Sequence, residues 1–257
     1  MIGLSKKELV KRQFSRRGGS YSGSIFSDEH ILDRIAAFAG PCGGCEVLDI
    51  ATGAGFLAFR FAEAAKKVVG IDLTREMIER AEALKDEKGA SNVVFMEADV
   101  ENLPFEDCSF DLVACRYSFH HFPHPEVALD EMNRVCRAGG RVLIIDGTAP
   151  EDPVKAGYLN EMESMRDPGH VHLYRASEFR ELFSKSGFEI AREDWYEMDF
   201  YLEEWLDMAD PDENVRRRVS GMMESCLKED RCGLNVRRSN GKVMFTYRIG
   251  MFLGVKT

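Results

Sequence analysis

At 257 residues and 44% hydrophobic content, the chain has enough apolar side chain for one large core, or for one core with a small covering subdomain. Its 34 basic and 44 acidic residues leave a net charge of −10, which repels phosphate backbones at long range and argues against a general nucleic-acid binder. No stretch approaches the roughly 18 to 20 continuous apolar residues of a membrane helix, and the N-terminal MIGLSKKELVKRQFSRRGG is charged where a signal peptide is apolar, so a cytoplasmic protein without a membrane span is expected.

The first 37 residues contain Phe14, Arg16, Arg17 and Tyr21, which suit either a cover folded across a ligand or a helix packed on the core. Cys42-Gly43-Gly44-Cys45 comes next. A CxxC is half a zinc site, a redox pair or a plain turn, and with no second CxxC and seven scattered cysteines the turn is favoured over metal. From there to about Pro150 the chain alternates β-branched runs with amphipathic segments. Strands are predicted at Val47 to Ala51, Val68 to Asp72, Val93 to Asp99, Phe110 to Arg116 and Arg141 to Asp146. Helices are predicted at Phe56 to Lys66, Thr74 to Lys88 with Thr74 as N-cap, and Pro125 to Arg137 ended by Gly139-Gly140. Doubly buried strands spaced by helices imply a parallel sheet with right-handed crossovers.

After Pro150 the pattern weakens. Glu151 to Leu173 reads as polar and broken by Pro153 and Pro168, Ser177 to Ser186 as a helix with Gly187 beyond it, and Phe188 to Phe200 as extended. Tyr201 to Ala209 and Glu213 to Lys228 carry two amphipathic helix patterns, expected to form a lid. A turn at Ser239 to Lys242 then leads into Val243 to Val255, expected as an edge or reversed strand. Arg216-Arg217-Arg218 and Arg237-Arg238 read as solvated surface.

In an open parallel sheet, ligands bind outside the carboxyl ends of the strands, where strand order reverses. The turn after the first strand lies there, and Ala51, Gly53 and Gly55 let backbone approach a ligand. Gly53-Ala54-Gly55-Phe56-Leu57-Ala58 fits the dinucleotide fingerprint, with Asp72 placed 17 residues beyond Gly55 for ribose hydroxyls, so a nicotinamide-dependent oxidoreductase is the first alternative. Asp49 decides between them: a carboxylate there repels a pyrophosphate and suits a ligand carrying ammonium and sulfonium cations. Asp72 can accept two ribose hydroxyls, and Asp99 can accept an adenine amine with Val100 and Leu103 as apolar surface beside the ring.

The run VLDIATGAG, then GIDLT, then EADVENLPFEDCSFDLVACRYSFHHFPHPEVALDEMNRVCRAGGRVLIID, resembles the class I S-adenosylmethionine-dependent methyltransferases, in particular the ubiquinone/menaquinone-biosynthesis C-methyltransferase group. The resemblance covers about Phe38 to Pro150, and HLYRASEFRELFSKSGFEI resembles the group's later helix and strand. It implies an α/β fold with a doubly wound, mostly parallel, seven-stranded Rossmann-like sheet and a helical lid insertion at about 201–240. In that organisation 1–37 covers the cofactor, 38–150 binds it, and 151–257 completes the same domain. By resemblance, Asp49, Ala51, Gly53 and Gly55 serve the methionine moiety and the turn, Asp72, Leu73 and Met77 the ribose side, Asp99 and Val100 the adenine, and Arg116 the position after the fourth strand. Ala51 stands where the group usually has glycine. S-adenosyl-L-methionine is the implied cofactor, S-adenosyl-L-homocysteine its product, and a small molecule the acceptor; a homodimer is compatible with this reading.

Methyl transfer requires nucleophile and methyl held in line, with a base only when the acceptor must lose a proton. His120 and His121 follow the fourth strand and are candidates for that base, as against loop histidines bonded to backbone. His170 and His172 share a face of an extended segment, so His172 is a third candidate, with Arg175 available for an acidic substrate group. The aromatic and thioether residues Trp195, Tyr196, Phe200, Tyr201, Trp205, Met208, Met222 and Met223 suit either an apolar acceptor or lid packing. A cofactor-binding protein without catalysis is the second alternative.

Overall fold

The computed structural model describes residues 4–17 and 25–257. In chain order it contains α1 (Lys6–Arg17), α2 (Glu29–Ala39), β1 (Glu46–Ile50), α3 (Phe56–Ala62), β2 (Lys67–Asp72), α4 (Arg75–Lys88), β3 (Val93–Glu97), β4 (Phe110–Arg116), α5 (Pro125–Val135) and β5 (Cys136–Gly147). It continues with α6 (Pro153–Arg166), α7 (Ala176–Lys185), β6 (Phe188–Tyr201), α8 (Leu202–Ala209), α9 (Glu213–Ser225), β7 (Arg237–Ser239) and β8 (Lys242–Lys256). A single 3-10 turn, Phe119–His121, follows β4.

The sheet runs β3-β2-β1-β4-β5-β8-β6, with the short β7 paired only to β8. β3 to β5 are parallel neighbours, while β8 runs antiparallel to both β5 and β6. Alternate side chains of each strand serve opposite faces. Val47, Val68, Leu112 and Leu143 enter one core with α2, α3, α6 and α8; Leu48, Val69, Val113 and Val142 enter the other with α5 and α7. Because sequence order reverses between β1 and β4, the loops after them diverge and leave a crevice.

The structure differs from the sequence expectation in the stretch after Pro150 and in the number of strands. Glu151 to Leu173 is not broken by Pro153: that proline is the first residue of α6, where its missing N–H is no loss, and the Asp152 carboxylate caps Val154 and Lys155. The last apolar run is reversed but interior, and with β7 the sheet has eight strands instead of seven. Thr74 is the N-cap of α4 as expected, without a side-chain cap bond, and its N–H donates to Asp72 Oδ1 at 2.9 Å. The β7–β8 hairpin turns through Asn240 and Gly241, both at positive φ (50° and 77°), as a two-residue turn of this kind requires. Cys42 and Cys45 form the favoured turn, with the Cys45 N–H donating to the Cys42 carbonyl. Arg216 is tied to Glu203 and Asp207, and Arg237 to Asp199, so these arginines are surface ion pairs.

Candidate active site

The turn after β1 holds Ala51, Gly53 and Gly55 at φ of 53°, 55° and 86°. A Cβ on Gly55 would lie 2.6 Å from the Phe95 ring, so here both the conformation and the space exclude a side chain. Backbone amides fix the turn: Thr52 donates to the Ile71 carbonyl at 2.8 Å and Gly53 to Asp72 Oδ2 at 3.0 Å.

Asp49 is 1% exposed and accepts a 2.6 Å bond from Thr52 Oγ1. Burial pushes its pKa up to about 6, against the opposing pull of Thr52 and Arg116. Asp72 accepts the Thr74 and Gly53 amides, and burial raises its pKa too. Asp99 lies beyond β3 and holds Lys7 of α1 at 2.6 Å, the same ammonium reaching Glu101 at 2.6 Å. Arg116 ends β4. Its Nη2 donates to the Phe26 carbonyl at 2.7 Å, while its Nη1 is buried without a hydrogen-bond partner. These residues line one cleft, together with Leu73, Met77 and Val100. Every residue assigned to the cofactor by resemblance lines it except Gly55, which holds the turn.

A second cavity, about 800 Å³ with its open mouth, adjoins the cleft; Phe14, Phe26, Tyr117 and His121 line both. Tyr117 has φ of 55°, held by its N–H on the Ile145 carbonyl at 2.7 Å, and its hydroxyl lies 2.5 Å from that of Tyr196. This backbone is costly for a tyrosine and turns the side chain to the junction.

The histidines separate clearly. His120 faces the second cavity, with Nδ1 at 2.8 Å from Asp146 Oδ1 and its own backbone N–H on Asp146 Oδ2. Burial opposes charge on His120, but the Asp146 carboxylate outweighs it and raises the pKa. His121, at the junction, has its pKa lowered to about 4 by burial and by His120, and its Nδ1 is buried without a partner. His170 also lines the cavity, bonded to Asn160 Oδ1 at 3.0 Å. His172 does not enter it. The Leu173 N–H and His170 ring share Asn160, which faces His170 inward and leaves His172 stacked edge-on to Tyr174, near Glu178 at 3.5 Å. Arg175 likewise pairs with Glu178 at 3.1 Å, not with the cavity.

Of the candidate cover, Phe14 stands at the junction; Tyr21 and the side chains of Arg16 and Arg17 lie outside the described residues. Of the lid residues, Phe200, Trp205 and Met208 line the cavity. Trp195 is stacked under Arg248 and Met223 is core.

Several cavity residues escaped the sequence reading. From the sequence Asp146 reads only as a strand end. Glu163, Arg166 and Asp167 lie on or just after α6: Glu163 takes Arg166 at 2.9 Å and the Tyr247 hydroxyl, and Asp167 takes Gln13 of α1 at 2.6 Å. Reading Asp152-Pro153 as a cap followed by a first-turn proline exposes that helix, and the Glu163–Arg166 spacing of three then marks a pair on one face.

A profile described as "Methyltransferase domain" matches residues 42–198. An uncharacterized methyltransferase, YcgJ of Bacillus subtilis, is 44% identical over 138 residues, covering 54% of each chain. A demethylmenaquinone methyltransferase of Porphyromonas gingivalis is 32% identical over 60% of this chain and 66% of its own. The chain thus spans between about half and two thirds of the length of the curated relatives it matches. The crystal structure of the Bacillus YcgJ protein superposes with a TM-score of 0.82 at 31% identity, over 88% of this chain and 98% of that one. Crevice, glycine turn and matches agree, and the chain belongs to the methyltransferase domain family, whose class I members use S-adenosylmethionine as cofactor.

Proposed function

We propose that this protein transfers the methyl group of S-adenosylmethionine to a small-molecule acceptor held in the second cavity, in the cytoplasm. The observation that carries the reading is the junction: a cleft rimmed by Asp49, Asp72 and Asp99 adjoins a second cavity through four shared aromatic side chains. The residues fit the cofactor. Asp49 suits its cationic methionine end, the unpartnered Arg116 Nη1 suits its carboxylate, Asp72 the ribose and Asp99 the adenine amine. Residues 1–37 supply a cover, with α1 across the cleft, and about 201–240 supply the lid; a homodimer fits the same reading.

When bound, the cofactor supplies a methyl already activated by positive sulfur. The chain's own groups then align and shield. Phe14, Phe26 and Tyr117 exclude water at the junction, and such positioning supplies roughly 7 to 11 kcal/mol of rate acceleration. His120, made more basic by Asp146, takes a proton from the acceptor; His121 stays neutral and offers Nδ1 to orient the nucleophile.

Calorimetry with S-adenosylhomocysteine and NAD tests the reading. Micromolar binding of the first and none of the second is expected; the reverse order points to the oxidoreductase alternative and ends the proposal. Binding without turnover on any acceptor would favour the non-catalytic alternative.

A further inference from the structure

We propose that the acceptor is an amine with an apolar body, captured as its ammonium ion by the acidic second cavity. This rests on the methyltransferase reading above and names the substrate class of the same site.

The charges of the cavity are unbalanced. Among the described lining side chains, Asp146, Glu163 and Asp167 face a single guanidinium, Arg166, and His120 adds at most one more positive charge. All three carboxylates are nearly buried, at 2%, 4% and 5% exposure. Arg166 is already committed: it pairs with Glu163, gives Nη1 to the Trp205 carbonyl at 3.0 Å and lies 4.2 Å over the Trp205 ring. The Asp167 carboxylate hydrogen-bonds neutral donors, Gln13 and the Gly169 amide at 2.8 Å, while the His121 imidazole and the Arg166 guanidinium nearby hold its pKa down to about 2 against burial. A second anion, such as a phenolate, thiolate or carboxylate, meets net negative charge in a low-dielectric space; a cation is attracted.

The approach has the same sign. A groove sharing Ile25, Phe26, Arg166 and Met208 with the cavity is bordered by Glu204, Asp207, Asp210 and Asp212. Asp207 is paired with Arg216, and the groove is also lined by Arg12 and Arg166, which leaves Glu204, Asp210 and Asp212 as its acids. An acidic mouth concentrates cations and steers them inward. The walls beyond it are Met198, Phe200, Trp205 and Ile249, suited to an apolar body. His121 Nδ1 then has its missing partner, an N–H of the amine.

The chemistry balances within these groups. The ammonium gives one proton to His120, whose imidazolium Asp146 stabilises. The freed lone pair forms the N–C bond as the C–S bond breaks, its electron pair remaining on sulfur. The N-methylammonium product carries the positive charge that sulfur has lost.

Calorimetry on protein saturated with S-adenosylhomocysteine tests the proposal, with benzylamine, 2-phenylethylamine and tryptamine set against 2-phenylethanol, 4-ethylphenol and 3-phenylpropanoate. At least one amine is expected to bind tenfold or more tighter than the neutral and anionic compounds. Asp167→Asn should cut that advantage at least fivefold while leaving S-adenosylhomocysteine affinity unchanged, which also shows that the variant folds. Equal or tighter binding of the phenol or carboxylate, no binding by any of the amines, or an unchanged preference in Asp167→Asn overturns it. Loss of S-adenosylhomocysteine binding by the unaltered protein would instead sink the methyltransferase reading.

Discussion

Asp49 is a carboxylate that folding places at a disadvantage until a ligand arrives. Its pKa rises from an ordinary 3.8 to about 6, so the folded state binds a proton that the unfolded state has released, and stability falls as pH climbs through that window. A shift of about two units corresponds to about 3 kcal/mol on the linkage relation. Asp49→Asn should therefore raise the unfolding free energy of the ligand-free protein at pH 8 by about 1 to 3 kcal/mol, a gain that fades toward pH 4, while weakening S-adenosylmethionine binding at least tenfold. Denaturant titrations at the two pH values and calorimetry decide this. Ala51 carries a smaller strain: φ of 53° costs a residue with a Cβ about 1 kcal/mol, so Ala51→Gly should leave stability unchanged or raise it by up to that amount in the same titrations. The glycine expected there from the resemblance thus has a backbone reason. For catalysis, Asp146→Asn removes the charge that favours the His120 imidazolium; kcat should fall by about 10² or more, and the rise of rate with pH should shift to lower pH as His120 loses basicity. A fall in rate with no shift of the profile would make Asp146 merely structural.

At the scale of elements, α1 bridges both compartments. Lys7 reaches Asp99 and Glu101, Gln13 reaches Asp167, and Val10 and Phe14 line the cleft. The Lys7 pairs are about a third exposed on the lysine side, so each contributes no more than about 1 kcal/mol, and Lys7→Ala should alter S-adenosylhomocysteine affinity less than fivefold. Deleting residues 4–17 removes the apolar wall as well and should weaken it at least tenfold by calorimetry. Periodicity revealed the β1 to β5 unit because each of its strands and helices repeats one simple pattern. It missed α6, whose apolar positions are interrupted by Glu163 and Asn160, side chains that serve the cavity instead of the core. For the same reason Asp146 and Asp167 read as a strand end and a loop acid, and their partners His120 and Gln13 are 26 and 154 residues away, where spacing carries no signal.

Across the whole molecule, chemistry occupies one end of the sheet and stability the rest. Five parallel strands set the cleft, and the reversed β8 with its neighbour β6 walls the second cavity through Met198, Phe200, Tyr247 and Ile249. On the proposed function, acceptor choice falls to the irregular half, where a single relocation of charge changes it without disturbing the glycine turn. The position of β8 has a temporal side. During synthesis β6 emerges well before the strand that lies between it and β5, so a nascent chain displays two bare backbone ladders side by side until Lys242–Lys256 slides in. Ribosome-bound intermediates stalled before that strand should be the form most in need of chaperone protection.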